Sequence, residues 1–232
     1  MSELEDFKKY ISLLDPKVKQ HVTEVCSSDF YQPFMLHIDV KTPEYFLPFL
    51  SRRAEEDEDN TVPRVTVSDT LLGCMIGYGQ LEDDFYDGED GIEINKIYFN
   101  HCLKPNTNLV GHQERSNEHW LVGYSKDTVR YKPVTIGSMF IDRINHKRGA
   151  DEPTAMASIY IQLNDDDHDI QFNSKIKLRR GYYRAIINMS TWNESEIKVD
   201  EVTKEEYLEK KKLSVGLLSH SSTTVPLYHK WF

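Results

Sequence analysis

Residues 62–80, VPRVTVSDTLLGCMIGYGQ, have the pattern of a strand that runs directly into a helix. Val65 and Val67 alternate with polar neighbours, and this period of two is typical of a strand with one buried face. Ser68 or Asp69 can then cap a helix, because a short side-chain oxygen accepts from an orphan backbone N–H. The stretch therefore predicts a strand-to-helix junction that the rest of the chain packs around.

The helical half of this stretch carries one apolar stripe, which is the face expected to pack on a sheet. Gly77 and Gly79 are expected to end the helix, since glycine reaches the left-handed conformation that closes one. The stripe consists of Leu71, Leu72, Met75 and Ile76.

We expect an α+β fold, with a mixed or antiparallel sheet packed against this central helix. Residues 1–30 are predicted to form an N-terminal helical hairpin whose second helix follows Asp15 and Pro16. Residues 31–145 are predicted to form the core domain, and residues 146–232 a β-rich C-terminal extension packed on it.

Outside the junction, alternation predicts strands at 33–40, 92–99, 119–124 and 128–140. In the C-terminal part, residues 157–163 and 169–178 alternate cleanly on either side of an acidic turn, and this pattern predicts a hairpin. Strands are also predicted at 181–189 and 196–202. Thr203 with Glu206 forms the pattern of a capping box, which predicts a helix to about residue 213.

The composition argues against direct nucleic-acid binding. The chain has 38 acidic and 28 basic residues and a formal charge of −10, whereas a phosphate backbone attracts the opposite sign. Acid clusters at 55–59, 82–90 and 165–169 are typical of solvated loops. They also allow the hypothesis of a nucleic-acid mimic, in which carboxylates imitate phosphates and occupy the basic groove of a DNA-binding protein.

The three cysteines are not spaced as a disulfide framework or a zinc site, and we expect no metal. The acidic loop at 82–91 lacks the spacing of an EF-hand. The N-terminus lacks a signal-peptide pattern, and no apolar run approaches the roughly 18 residues of a membrane span. We therefore expect an intracellular protein that does not contact a membrane.

No P-loop, nucleophile elbow, HExxH or dinucleotide fingerprint is present. His37 on the first predicted strand, Tyr78 and Tyr86 around the central helix, and Glu118 before a later strand form the one candidate catalytic set. This order resembles that of ADP-ribosyltransferases. The resemblance implies that the histidine holds NAD, a tyrosine stacks on nicotinamide, and the glutamate faces the ribose. These residues are also ordinary strand and loop positions.

Residues 31–142 also resemble an uncharacterised domain of bacteriophages and their hosts. That resemblance rests on a first strand with His37, an acidic stretch ending at Asn60, a PRV strand starting at Pro63, and Cys74 in a capped helix. The later segments EHWLVGY and VRYKPVTIGSMFI are similar to that domain's closing strands. An SRR turn replaces the expected proline-arginine turn.

Because no complete catalytic motif is present, we expect a phage-type accessory protein that acts by protein–protein binding, as a host-factor inhibitor or a virion component. It would then work in the host cytoplasm or in the virion, with a protein partner or as a homo-oligomer and with no cofactor. NAD enters only if the chain is an ADP-ribosyltransferase-like enzyme. The expected partner-binding residues are an acidic loop and an apolar tail: Glu82, Asp83, Asp84, Asp87, Leu227, Tyr228, Trp231 and Phe232.

Overall fold

A computed structural model of the chain describes residues 2–50, 59–79, 81, 91–148 and 153–220. The fold is α+β but mainly β, with 23% helix and 40% strand, and its large sheet is mostly antiparallel. This confirms the fold class predicted from the sequence in its coarse form. Within the described residues, none of the helices has the length and apolarity that crossing a bilayer requires.

The large sheet has ten strands in the order β1-β5-β6-β3-β2-β4-β7-β8-β11-β12, and β9 and β10 pair separately. The strands are β1 Val22–Cys26, β2 Phe34–Asp39, β3 Val65–Ser68, β4 Ile92–Tyr98, β5 His101–Pro105, β6 Glu118–Leu121, β7 Pro133–Arg148, β8 Pro153–Leu163, β9 Ile170–Gln171, β10 Lys177–Leu178, β11 Gly181–Asn188 and β12 Lys198–Glu201. The helices are α1 Glu3–Ser12, α2 Pro16–Lys19, α3 Leu71–Tyr78, α4 Gln113–Ser116 and α5 Lys204–His220.

The chain divides into two compact units that are each discontinuous in sequence. The first contains residues 1–79, 93–137 and 163–180, and the second contains 80–92, 138–162 and 181–232. The division at residues 30 and 145 stays a prediction.

The N-terminal helical hairpin is wrong in its second half. Helix α2 ends at Lys19, and the chain from Val22 to Cys26 is strand β1. This strand pairs antiparallel with β5, which places Val22 opposite Pro105. The β-branched Val22, Thr23 and Val25 favour a strand, and the partner strand that decides the matter lies far along the sequence.

The junction of β3 and α3 forms as predicted, with two corrections. The helix cap is Thr70, whose hydroxyl accepts from the Gly73 N–H at 3.0 Å, and not Ser68 or Asp69. Ser68 has another use, because its hydroxyl donates to the Ser116 carbonyl at 2.8 Å. The helix ends at Gly79 in the left-handed conformation, so Gly77 lies inside it.

Helix α3 lies unusually close to its neighbours. A Cβ atom placed on Gly73 would be 2.1 Å from the Ser116 carbonyl oxygen and 2.2 Å from Ser68 Oγ. The side chains of Leu71, Leu72 and Met75, which belong to this helix, are fully buried. The first unit is therefore organised around the strand-to-helix junction.

The second unit has its own aromatic core. Phe140 and Tyr160 stack with ring centroids 5.4 Å apart, and Tyr207 of α5 meets the Phe140 ring edge-on at 5.3 Å. Thr203 caps α5 by accepting from the Glu206 N–H at 3.1 Å, as the capping-box pattern predicts, although the helix continues to His220.

The predicted hairpin between residues 157–163 and 169–178 is wrong. Strand β9 pairs with β10, and both lie within the second of these predicted strands. Asn173 makes the turn between them, because its side-chain oxygen accepts from the N–H groups of Lys175 and Ile176 at 2.9 and 2.8 Å. An asparagine that bonds the backbone ahead of it favours a turn over a continuous strand.

Candidate functional site

A cavity of about 140 Å³ lies where α3 crosses strands β2, β3 and β6 of the first unit. Three of the four predicted catalytic residues line it, namely His37, Tyr78 and Glu118. Strand pairing brings them together, because Leu36 lies opposite Ser68, and Ser68 lies opposite Glu118 in the next strand. The other lining residues are Ile38, Thr66, Val67, Ser68, Gly73, Cys74 and Gly77.

His37 is held in one tautomer. Its Nδ1 lies 2.7 Å from the carbonyl oxygen of Thr66, and a carbonyl only accepts, so Nδ1 carries the hydrogen and Nε2 keeps a lone pair. Burial lowers the pKa of His37 below its ordinary value. The ring also meets Phe46 edge-on at 4.4 Å. The imidazole is therefore neutral at physiological pH and oriented to accept a hydrogen bond.

Glu118 is a buried carboxylate with its own donor. The indole N–H of Trp120 donates to Glu118 Oε1 at 2.7 Å, and His112 Nε2 lies 3.6 Å from Oε2. The backbone of Glu118 is also fixed, since the side-chain amide of Gln113 donates to its carbonyl oxygen at 2.9 Å. A buried carboxylate held in this way can stabilise positive charge that develops on a ligand.

A buried cation lies over the ring face of Trp120. The Arg64 guanidinium is 4.2 Å from the centre of the indole ring, a cation–π contact. Arg64 Nη1 donates to the backbone oxygen of Asp59 at 2.7 Å and approaches its carboxylate at 3.4 Å. Trp120 therefore contacts a cation through its ring face and the Glu118 carboxylate through its indole N–H.

Tyr78 and Cys74 reach the cavity from α3. Tyr78 is half-buried and is the last residue of the helix. The Cys74 thiol donates to the Leu36 carbonyl at 3.1 Å, and burial raises its pKa well above the ordinary value. A thiol in this state is a poor nucleophile. The cavity thus offers an oriented imidazole, a phenol and a carboxylate, with Cys74 in a structural role.

The size of the cavity limits what it can bind. An engineered apolar cavity of roughly 150 Å³ holds a benzene molecule, whereas pockets for drug-sized ligands are roughly 300–1,000 Å³. A cavity of about 140 Å³ therefore accommodates a single six-membered ring. A larger ligand would place one ring inside and the rest of its structure outside.

The fourth predicted catalytic residue, Tyr86, lies outside the described residues. The same holds for every predicted partner-binding position, namely Glu82, Asp83, Asp84, Asp87, Leu227, Tyr228, Trp231 and Phe232. Their roles stay predictions.

The acid cluster at 165–169 is largely neutralised within the first unit. Lys96 Nζ lies 2.7 Å from Asp165 Oδ2, and both side chains are buried. Asp166 pairs with Arg180 at 2.7 Å. Asp165, Asp167 and His168 are close enough to share a metal ion, but the Lys96 ammonium already contacts Asp165 and lies 3.4 Å from His168 Nδ1. A carboxylate that pairs with a neighbouring cation is a poor phosphate imitator.

Two residues of the site were missed in the sequence. Trp120 follows Glu118 at the spacing that puts both side chains on one face of a strand, so the period-two rule was sufficient to pair them. Gly77 was interpreted only as a helix terminator, whereas it lines the cavity from within α3.

Comparison of the chain with known protein families, curated proteins and solved structures gives no match.

Proposed function

We propose that the cavity binds the nicotinamide ring of NAD and that the protein cleaves the nicotinamide–ribose bond, as an ADP-ribosyltransferase-like enzyme. The observation that carries this proposal is that His37, Tyr78 and Glu118 line one cavity. They come from a strand, a helix and a second strand that are far apart in sequence. A cavity that accommodates one ring fits the nicotinamide, with the attached ribose at the mouth of the cavity and the rest of the dinucleotide outside it.

Each residue has a role that follows from its surroundings. Cleavage leaves positive charge on the ribose carbon while the bond electrons pass to the nicotinamide nitrogen, and a nearby carboxylate such as Glu118 stabilises that charge. A water molecule or an acceptor nucleophile then bonds to the ribose carbon and releases its proton to solvent. The lone pair of His37 Nε2 accepts a hydrogen bond from a ribose hydroxyl. The Tyr78 ring stacks on the nicotinamide.

The test is the release of nicotinamide from labelled NAD by the purified protein. We expect Glu118→Gln to lower the rate by at least about 100-fold, because it removes the charge from an electrostatic stabiliser. Glu114→Gln is the matched control, since it makes the same change at an exposed position of the neighbouring helix. Tyr78→Phe should retain most activity, and Tyr78→Ala should lose it.

Absence of nicotinamide release by the wild type, with and without added protein acceptors, would contradict the proposal. So would equal rates for Glu118→Gln and Glu114→Gln.

A second candidate function is protein binding, in line with the phage-type accessory role predicted from the sequence. It is supported by Leu47, Phe49 and Leu50, which are 52%, 61% and 48% exposed. Their segment is ordered, because Phe46 bridges to Tyr131 and Phe49 bridges to Arg64. Large apolar side chains exposed on a fixed backbone are typical of an interaction surface.

This candidate is tested by the native mass of the protein at increasing concentration. Concentration-dependent self-association that is abolished by Leu47→Ser with Phe49→Ser would support a homo-oligomeric role. A monomer at all concentrations, with no change in the variant, would count against self-association. The role as a host-factor inhibitor or virion component is a prediction that needs a defined partner.

A further inference from the structure

Gly77 lies inside helix α3 without a backbone reason to be glycine. The left-handed conformation that closes the helix is taken by Gly79, with a φ of 67°, whereas Gly77 is helical. Alanine adopts helical backbone angles more readily than glycine does, so glycine at this position makes the helix less stable than alanine would.

Packing against the described residues does not require glycine at position 77 either. Among those residues, a Cβ atom there would have one neighbour within 4 Å, Glu118 Oε2 at 3.7 Å, which is an ordinary van der Waals distance. Gly73, one turn earlier, is the opposite case, since a Cβ there would collide with Ser116 and Ser68 at 2.1 and 2.2 Å. Of these two glycines, only Gly73 is explained by the close approach of α3 to Ser116 and Ser68.

Because Gly77 has no side chain, a ligand can approach one carboxylate oxygen of Glu118 from this side of the helix. Oε1 of Glu118 accepts from the Trp120 indole, and Oε2, which lies 3.6 Å from His112 Nε2, is the oxygen on the Gly77 side of the carboxylate. A methyl group at position 77 would stand against this oxygen. It would also occupy part of a cavity that accommodates a single ring.

We infer that Gly77 is a specificity-determining residue, which keeps Glu118 Oε2 accessible to a flat heteroaromatic ring that bears a carboxamide or a ring charge. This inference rests on the proposed function of the cavity and deepens it. The residue at position 77 would then determine which ligands can contact the Glu118 carboxylate.

The experiment measures the dissociation constant of nicotinamide for the wild type, Gly77→Ala and Gly123→Ala. Gly123 is a matched control, because among the residues that the structure describes a Cβ there would make ordinary contacts at 3.8 Å with Pro48 and Val129, neither of which lines the cavity. We expect Gly77→Ala to bind nicotinamide at least tenfold more weakly and Gly123→Ala to bind it as the wild type does. The melting temperature of ligand-free Gly77→Ala should equal or exceed that of the wild type.

The outcomes separate this inference from the proposed function. If the wild type binds nicotinamide and Gly77→Ala binds it equally well, the inference about Gly77 is wrong and the proposed site stands. If Gly77→Ala has a lower melting temperature, the glycine serves packing and the inference is wrong. If the wild type binds no nicotinamide, both fail.

Discussion

The indole N–H of Trp120 donates a hydrogen bond of 2.7 Å to Oε1 of Glu118, and both side chains are buried. The two residues are separated by one position in β6, so their side chains leave the same face of the strand. This bond fixes the orientation of the carboxylate at the edge of the cavity. The second carboxylate oxygen lies 3.6 Å from His112 Nε2 and on the side of the cavity-lining Gly77.

Trp120→Phe should destabilise the protein, because it removes the donor to a buried carboxylate while retaining an aromatic ring. A hydrogen bond to a charged group contributes about 1.5–3 kcal/mol, which is the loss we expect in the free energy of unfolding measured with urea.

A double-mutant cycle with Glu118→Leu separates this bond from the loss of indole volume. The two residues should show a coupling free energy of about 0.5–3 kcal/mol. A coupling near zero would mean that the hydrogen bond does not contribute to stability.

Lys96→Met should lower the free energy of unfolding far more than the loss of an exposed ion pair does. The Lys96 and Asp165 side chains are 4% and 6% exposed, so the variant leaves a buried carboxylate without its cation. Removing one partner of a buried pair costs about 3–5 kcal/mol. Urea denaturation measures the effect.

Asp166→Ala is the control for Lys96→Met, because Asp166 and its partner Arg180 are 66% and 62% exposed. We expect it to cost less than about 1 kcal/mol. Similar losses for the two variants would contradict the buried character of the Lys96 pair.

Stability should decrease as the pH is lowered from about 6.5 to about 5, the range just below the ordinary pKa of histidine. Burial lowers the pKa of His119 to about 4, and it lowers the pKa of His37 as well. Below the ordinary pKa the unfolded chain binds protons that the folded protein does not, so protonation favours unfolding. Each such histidine contributes a slope of up to about 1.4 kcal/mol per pH unit.

His119→Gln should flatten this dependence when urea denaturation is repeated across the same range. Carboxylates with lowered pKa, such as Glu3 and Glu93, lose their contribution to folding stability only near and below about pH 4, the ordinary carboxyl pKa. They therefore do not contribute to the change in stability between about pH 6.5 and about pH 5. An unchanged slope in the variant would show that His119 titrates alike in the folded and unfolded states.

Alkylation of the native protein should be confined to one of its three cysteines. Hydrogen bonding from Ser28 lowers the pKa of the half-buried Cys26, whereas burial raises the pKa of Cys74 and Cys102. The thiolate is the reactive form, so Cys26 reacts first with iodoacetamide at neutral pH. Mass spectrometry should find one modification on the native protein and none on Cys26→Ser. Rapid modification of native Cys74 would contradict its structural role.

The sequence predicted the parts of the fold that local patterns determine. The alternation of Val65 and Val67, followed by an apolar stripe, located β3 and α3 because both periods are properties of adjacent residues. The cap at Thr70 was not predictable in this way. Ser68 is an equally good local candidate, and its hydroxyl is used by Ser116, which lies 48 residues away.

Long-range pairing also explains the other differences. Residues 22–26 form a strand because β5 is beside them, and nothing within the segment identifies that partner. Three residues that line the cavity, His37, Tyr78 and Glu118, were named from the sequence, since imidazole, phenol and carboxylate indicate chemistry by type. Gly77 was not, because an absent side chain indicates a role only when the surrounding atoms are known.

The most direct test of the proposed site is a titration of ¹⁵N-labelled protein with nicotinamide, followed through the tryptophan indole N–H signals. The chain has three tryptophans, and comparison with Trp120→Phe identifies the signal of the indole that donates to Glu118. We predict that this signal shifts and saturates, and that the shift is lost in Glu118→Gln. A Trp120 signal that does not move while nicotinamide is in large excess would contradict the assignment of the cavity as the ligand site.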